Sequence, residues 1–366
     1  MSLDLSPASL RLPDLHGEAR RQIEICNACR YCEGYCSVFP AMTRQKAFAD
    51  GDLTHLANLC HNCRGCYYAC QYTEPHEFAL NLPAALAEVR VDSWERLIRP
   101  QGLARMFQRQ GVAMAALLVV ALAAFFWALA AWQPAAGDGF YAFMAHGVMV
   151  AIFLPAFVAP LALIGLGLRD YWRETGGGQL RMAHVLTALN DAARLRNLSG
   201  GQGQGCNFEA GDRYSDRRRW FHQAMMYGFL LCFAATSAGT VMHYALDWPA
   251  PYPLWSLPKL LGLPGGVLMV VGAAGLAWLK LRADRSLGDV RVWGGEMAFV
   301  LLLGAVAATG LGLYAVTGTA AVAPLLAVHL ATVLVLFLLM PFSKMVHGFF
   351  RLTALVAEAE KAGRSG

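Results

Sequence analysis

From Val112 onward the chain alternates long apolar runs with polar, arginine-bearing ones, whereas the first hundred residues hold no apolar run of comparable length. A helix rises about 1.5 Å per residue, so roughly 20 apolar residues cross the 30 Å hydrocarbon layer of a bilayer. Six stretches reach that scale: 112–132, 141–168, 221–246, 264–281, 294–316 and 324–347. They predict an all-α membrane domain over residues 112–351. Ahead of it lie a polar head, 1–83, and a connector, 84–111; behind it lies a tail, 352–366. The connector interleaves Trp94, Leu97, Ile98 and Phe107 with Arg90, Arg96, Arg99, Arg105 and Arg109, the pattern of an amphipathic helix on a membrane surface. In the fifth span Gly304 and Ala308 offer a small-residue seam to a neighbouring helix.

Within the head, residues 16–25 read as helix, and the stretch 43–59, poor in β-branched residues, reads as two short helices. The head is therefore expected to be helical too. Composition agrees with a membrane protein: 57% of residues are hydrophobic, only 15% are charged and mean hydropathy is +0.40. The net charge of +5 does not point to nucleic acid, because the arginines flank apolar spans instead of forming a basic domain. Residues 1–25 contain no apolar core of a secretory signal.

The basic residues also set an expected orientation. Arg99, Arg105 and Arg109 precede the first span, nine arginines lie in the loop 169–220, and Lys280, Arg282, Arg285, Arg291, Lys344 and Arg351 follow the same alternation. The intervening loops, 133–140, 247–263 and 317–323, hold only Lys259. The positive-inside rule then places the head and both termini in the cytoplasm. The loop 169–220, with Gly176, Gly177, Gly178, Gly200, Gly201, Gly203 and Gly205, reads as a flexible connection, with contact to the head or to a partner as the alternative.

Eight of the ten cysteines stand in two runs, Cys26, Cys29, Cys32, Cys36 and Cys60, Cys63, Cys66, Cys70. Each run is C-x2-C-x2-C-x3-C. In that spacing three local thiolates hold three corners of a cubic iron–sulfur cluster, and the fourth serves the other cluster. The expected ligand sets for two [4Fe-4S] clusters are Cys26, Cys29, Cys32 and Cys70, and Cys60, Cys63, Cys66 and Cys36. Zinc prefers paired cysteines in separate knuckles, and disulfides belong to oxidising compartments. Cys206 and Cys232 have no cysteine neighbours at such spacing and stay unassigned.

Histidines within the spans add a second chemistry, since polar groups are costly in lipid. His222 and His243 stand at opposite ends of span three, and His329 and His347 at opposite ends of span six. Because the spans enter from opposite sides, His222 shares a depth with His347 and His243 with His329. On a continuous helix the 18 residues from His329 to His347 make five turns, which puts both on one face. Two imidazoles at each of two depths suit two b haems with bis-histidine ligation. His146, in span two, is a fifth candidate, for a haem in place of His243 or for a quinone; His61, His76 and His184 read as structural or partner-facing.

Several stretches together resemble the tricarballylate or citrate utilisation protein B family: Cys29–Cys36 (CRYCEGYC), Leu59–Cys70 (LCHNCRGCYYAC), Pro75–Phe78, Arg218–His222 (RRWFH), Tyr227–Thr236 and Lys344–Gly348 (KMVHG). The resemblance implies a partner flavoprotein, an FAD-dependent dehydrogenase of tricarballylate or a similar tricarboxylate, whose reduced FAD this chain reoxidises. The histidine pair of the last span is also similar to that of nitrate reductase gamma subunits. Neither Cys36 nor Cys70 is followed by the proline of many bacterial ferredoxins.

The expected whole is a cytoplasmic ferredoxin-like helical head on a six-helix bundle of cytochrome b type, passing electrons to membrane quinone. The chain is then an oxidoreductase component whose substrate chemistry belongs to its partner. The alternative is a transporter or a redox sensor with an iron–sulfur head; against a coupled carrier, the spans hold almost no carboxylate apart from Glu296 at a span end.

Overall fold

Asp14 opens the first helix by accepting a hydrogen bond from the Gly17 N–H at 3.0 Å, and Arg30 closes it in the left-handed region at φ 55°. That helix, α1 (Leu15–Cys29), begins the computed structural model, which describes residues 14–132, 139–201, 203–209 and 211–364. In the head it is followed by α2 (Val38–Thr43), α3 (Asp50–Leu59), the single turn α4 (Gly65–Tyr68) and α5 (Leu82–Leu97). Asn81 caps α5 through the Ala84 N–H at 3.2 Å, and Pro83 sits in its first turn, where a missing N–H costs nothing. Ile23, Leu53, Leu56, Leu86 and Val89 close the core between α1, α3 and α5.

The connector divides at Ile98. Its first half is α5, which covers the head: Trp94 is buried, donating from Nε1 to the Asn58 side chain at 2.9 Å, and Arg90 turns inward to the carbonyl of Cys60. An apolar stripe alone does not tell lipid from protein as its partner, and here protein covers these residues. The second half starts a long helix, α6 (Gln101–Trp132), bent at Gln110, whose φ of −121° departs from helix.

The chain continues with α7 (His146–Glu174), α8 (Met182–Arg194), α9 (Arg217–Ala245), α10 (Leu257–Arg282), α11 (Trp293–Ala315), α12 (Val322–Leu339) and α13 (Val346–Arg364). Six helices are long and apolar enough to cross a membrane: α6, α7, α9, α10, α11 with the turn before it, and α12. The described residues contain no strand, only a bridge between Cys206 and Ser215. The tightest seam is α9 against α10. A Cβ on Gly228 would stand 2.6 Å from the Met269 nitrogen, and one on Gly272 would stand 2.5 Å from the Met225 nitrogen. Backbones that near each other require glycine at the crossing. Gly304, the seam residue expected from the sequence, faces Ala273 of α10 at a looser 3.0 Å.

Three further findings depart from the sequence reading. The sixth span ends at Leu339, short of residue 347, and the chain turns through Met340–Met345 before α13. Pro341 accounts for the break, having no N–H to give and a ring that collides with the carbonyl four residues back. His329 and His347 therefore belong to different helices and are not related by five continuous turns. The tail is α13 itself, packed back on the head: Phe350 meets Trp94 and Tyr171, and Glu358 pairs with Arg44 and lies 3.3 Å from His55 Nε2. Likewise the loop 169–220 is built on the head. Asn197 accepts from the Ser37 N–H at 3.1 Å and donates to its hydroxyl at 2.8 Å, and the Asn207 N–H donates to the Cys63 carbonyl at 2.9 Å.

Candidate functional site

Cys26 and Cys29 stand in the last turn of α1 and Cys66 in α4, and the other five cysteines of the two runs lie on the turns between the head helices. Arg30, Asn62 and Arg64 adopt left-handed backbone at φ 55°, 51° and 68°, which curls each run round a centre. A cavity of about 230 Å³ is lined by Cys26, Cys29, Cys32 and Cys70, together with Cys66. A second cavity is lined by Cys36, Cys60, Cys63 and Cys66. Backbone N–H groups point at two of the sulfurs, Asn62 to Cys60 at 3.4 Å and Tyr72 to Cys70 at 3.3 Å.

Burial, reinforced by the neighbouring thiols, pushes Cys26 and Cys32 up to about 12 and Cys63 to about 11, and it raises Cys36 and Cys66 as well. So many crowded thiols lose their protons only to a centre that supplies positive charge, as iron does. Among the described residues no group of three or more His, Cys, Asp or Glu closes on a single ion. The donors instead ring two cavities, and their chemistry fits iron–sulfur clusters.

A third cavity, about 450 Å³, lies where the head meets the bundle. Met225, Phe229, Phe299 and Leu303 make its wall apolar, and His222, His347, Arg218, Arg351, Lys344 and Glu296 add polar groups. The rings of His222 and His347 stand 5.9 Å apart, centre to centre. With metal–imidazole bonds of about 2 Å on either side, two rings sharing one iron stand roughly 6 Å apart. His347 Nδ1 donates to the Lys344 carbonyl, which leaves Nε2 as the bare nitrogen that a metal needs. His222 Nδ1 is buried without a partner among the described residues. These two imidazoles could hold the iron of a haem between them.

At the other end of the bundle the expected pair does not meet. His243 faces His146, with ring centres 4.2 Å apart and planes inclined by 33°, and His146 Nε2 is 2.8 Å from the Tyr244 hydroxyl. His329 lies instead on the α11 side, its Nδ1 2.9 Å from the Thr309 hydroxyl, which itself donates to the Ala305 carbonyl at 2.7 Å. Nδ1–H of His329 is thus the donor, and its Nε2 is bare.

Other groups at the head–bundle junction were legible only as topology signals. Glu296 bridges Lys280 and Lys344, the latter at 2.7 Å. Arg351 donates to the Cys60 carbonyl at 2.8 Å, and Arg218 donates to the carbonyls of Asn62 and His61 at 2.6 and 3.0 Å. Each arginine is one helical turn from a junction histidine, Arg218 before His222 and Arg351 after His347. That spacing was present in the sequence; what it grips was not.

Helices able to cross a membrane, joined to a head whose cysteines ring two cavities, define a membrane protein with an iron–sulfur type of head. The chain belongs to the citrate utilization protein B family: residues 110–366 match the family described as Citrate utilization protein B, and residues 19–95 match its Fer4-like domain. It is 42% identical over 351 residues to Citrate utilization protein B of Escherichia coli, covering 94% of this chain and 92% of that protein. No solved structure matches it.

Proposed function

We propose that this chain is a membrane electron-transfer protein that reoxidises a partner FAD-dependent dehydrogenase of tricarballylate, citrate or a similar tricarboxylate and delivers the electrons to membrane quinone. The head would hold two [4Fe-4S] clusters, one on Cys26, Cys29, Cys32 and Cys70 and one on Cys36, Cys60, Cys63 and Cys66. His222 with His347 would hold one b haem, and His243 with His329, which stand apart in this structure, would have to close on a second, without covalent attachment because no C-x2-C-H motif occurs. Bound clusters and haems supply one-electron chemistry, which lets a two-electron flavin be emptied stepwise.

The observation that carries this reading is the junction. Arg218 and Arg351, on the helices bearing His222 and His347, hydrogen-bond the loop of Cys60. The chain's own residues thereby hold the second cysteine set against the inner histidine pair. The basic residues between spans support a cytoplasmic head in a bacterial inner membrane, the side on which a soluble dehydrogenase is met.

The test uses the purified full chain. Two clusters correspond to about eight non-haem irons, and the haems to sharp bands that appear on reduction. Protein carrying zinc, or half that iron when fully loaded, sinks the cluster assignment. A spectrum without reducible haem bands sinks the haem assignment. Mixing with reduced flavoprotein must then reduce the haems, and a Cys29→Ser variant must do so more slowly.

A further inference from the structure

Cations gather on the loop that carries Cys60 and Cys63, with Arg64 in the wall of the second cysteine cavity and Arg90, Arg218 and Arg351 in the wall of the third. Arg90 and Arg351 both donate to the carbonyl of Cys60, at 2.9 and 2.8 Å, and Arg218 holds the next two carbonyls. Arg64 continues the group, bonded through Nε to the Asn62 side chain at 3.1 Å, and with Arg218 it stacks on the ring of Phe208. Arg64 and Arg90 are only 4% and 6% exposed. These hydrogen bonds end on carbonyl and amide oxygens, not on carboxylates. The first cavity is walled differently, by Tyr31, Tyr67, Tyr72, Gln71, Phe39 and aliphatic residues, with no cation in its wall among the described residues. Cys29 beside it is exposed and Tyr31 is 71% exposed.

An added electron is an added negative charge. Buried cations stabilise it more strongly than solvent-screened ones, and local charge, hydrogen bonding and exposure set cluster potentials. We propose that Arg90, Arg218 and Arg351 are positioning residues that hold the Cys36, Cys60, Cys63, Cys66 site at a higher reduction potential than the Cys26, Cys29, Cys32, Cys70 site. This rests on the cluster assignment made under Proposed function. The exposed site is then where electrons enter the head, and the site at the junction is where they settle, beside His222 and His347. Each transfer moves one electron, oxidising the first site and reducing the second, with no proton or bond exchanged; the dehydrogenase's reduced flavin is the source.

The experiment is a potentiometric titration of the full chain in detergent, followed by electron paramagnetic resonance, with Cys29→Ser used to identify the signal of the first site. In the unmodified chain the junction signal must appear at the higher potential. Arg351→Gln must lower the reduced-to-oxidised ratio of that signal at least tenfold at fixed potential, about 59 mV for a one-electron couple, and leave the other signal in place. Arg351→Lys, which keeps the charge, must restore most of the shift. Should Arg351→Gln lose its iron, Arg90→Gln removes a charge from the same carbonyl and must give the same selective shift. A reversed order, two signals moving together, or no shift in either overturns the inference while two clusters remain. A chain without two cluster signals removes the cluster assignment itself and this inference with it.

Discussion

The rings of His146 and His243 stand 4.2 Å apart across α7 and α9, at the end of the bundle away from the head. His329, which the sequence pairs with His243, is turned toward Thr309 of α11. On the proposed ligation, His243→Ala and His329→Ala each remove one of two b haems and spare the one at His222 and His347. His146→Ala keeps both, because the proposed ligation gives His146 no iron and its Nε2 meets the Tyr244 hydroxyl instead. Haem content and reduced-minus-oxidised spectra of the three variants decide it, and loss of a haem in His146→Ala alone would move the ligand role to His146.

The α9–α10 seam has no room for a side chain. A Cβ at Gly228 meets the Met269 nitrogen at 2.6 Å and the Gly265 carbonyl oxygen at 2.7 Å, both backbone atoms. Gly228→Leu is expected to destabilise the bundle by about 1–3 kcal/mol or more, as overpacking does. Gly165→Ala, with nothing within 4 Å of the new carbon, is the control. Thermal unfolding in detergent should separate the two, and equal midpoints would mean that the helices do not cross this closely.

Asn197 binds both the N–H and the hydroxyl of Ser37, next to Cys36. Removing a buried partner of this kind costs about 1–3 kcal/mol. With tenfold per 1.4 kcal/mol, Asn197→Ala should speed loss of the iron held at Cys36 by at least about fivefold under a chelator. An unchanged rate would show that the loop 196–216 does not support the head.

His55 gives the junction between head and α13 a pH dependence. Burial holds its pKa below the usual value, against the opposing pull of Glu358. In the folded chain it is therefore neutral where an unfolded chain, with a pKa near 6.5, begins to take up a proton. Its stabilising share is complete above about pH 6.5 and is lost as pH falls toward the lower folded pKa. The fall in unfolding midpoint between pH 7 and pH 5.5 should be smaller in His55→Gln than in the parent chain. Parallel curves would count against this role.

What the sequence disclosed depended on the range of the interaction. The cysteine runs are legible because three ligands sit within one loop, and the spans because length and composition suffice. The approach of His222 to His347 followed from depth alone, although the helix continuity invoked for it was wrong. Pro341 was the visible sign of the break, yet Phe342, Met345 and Val346 carry the apolar pattern straight through it. Trp94 and Arg90 read as parts of a membrane-surface helix because the partner that buries them, the head, is also apolar on that side. Contacts such as Asn207 with Cys63 pair residues far apart in the chain, with no periodicity to announce them.

The bond from Arg351 to the carbonyl of Cys60 joins residues 291 positions apart. During synthesis the head leaves the ribosome first, and all six long helices follow before α13 exists to close on it. Until then the Cys60 carbonyl lacks its second guanidinium, Arg44 and His55 lack Glu358, and Trp94 lacks Phe350. The head is made ahead of the bundle and finished after it, and a chain interrupted before Val346 carries a head left open beside its second set of cysteines.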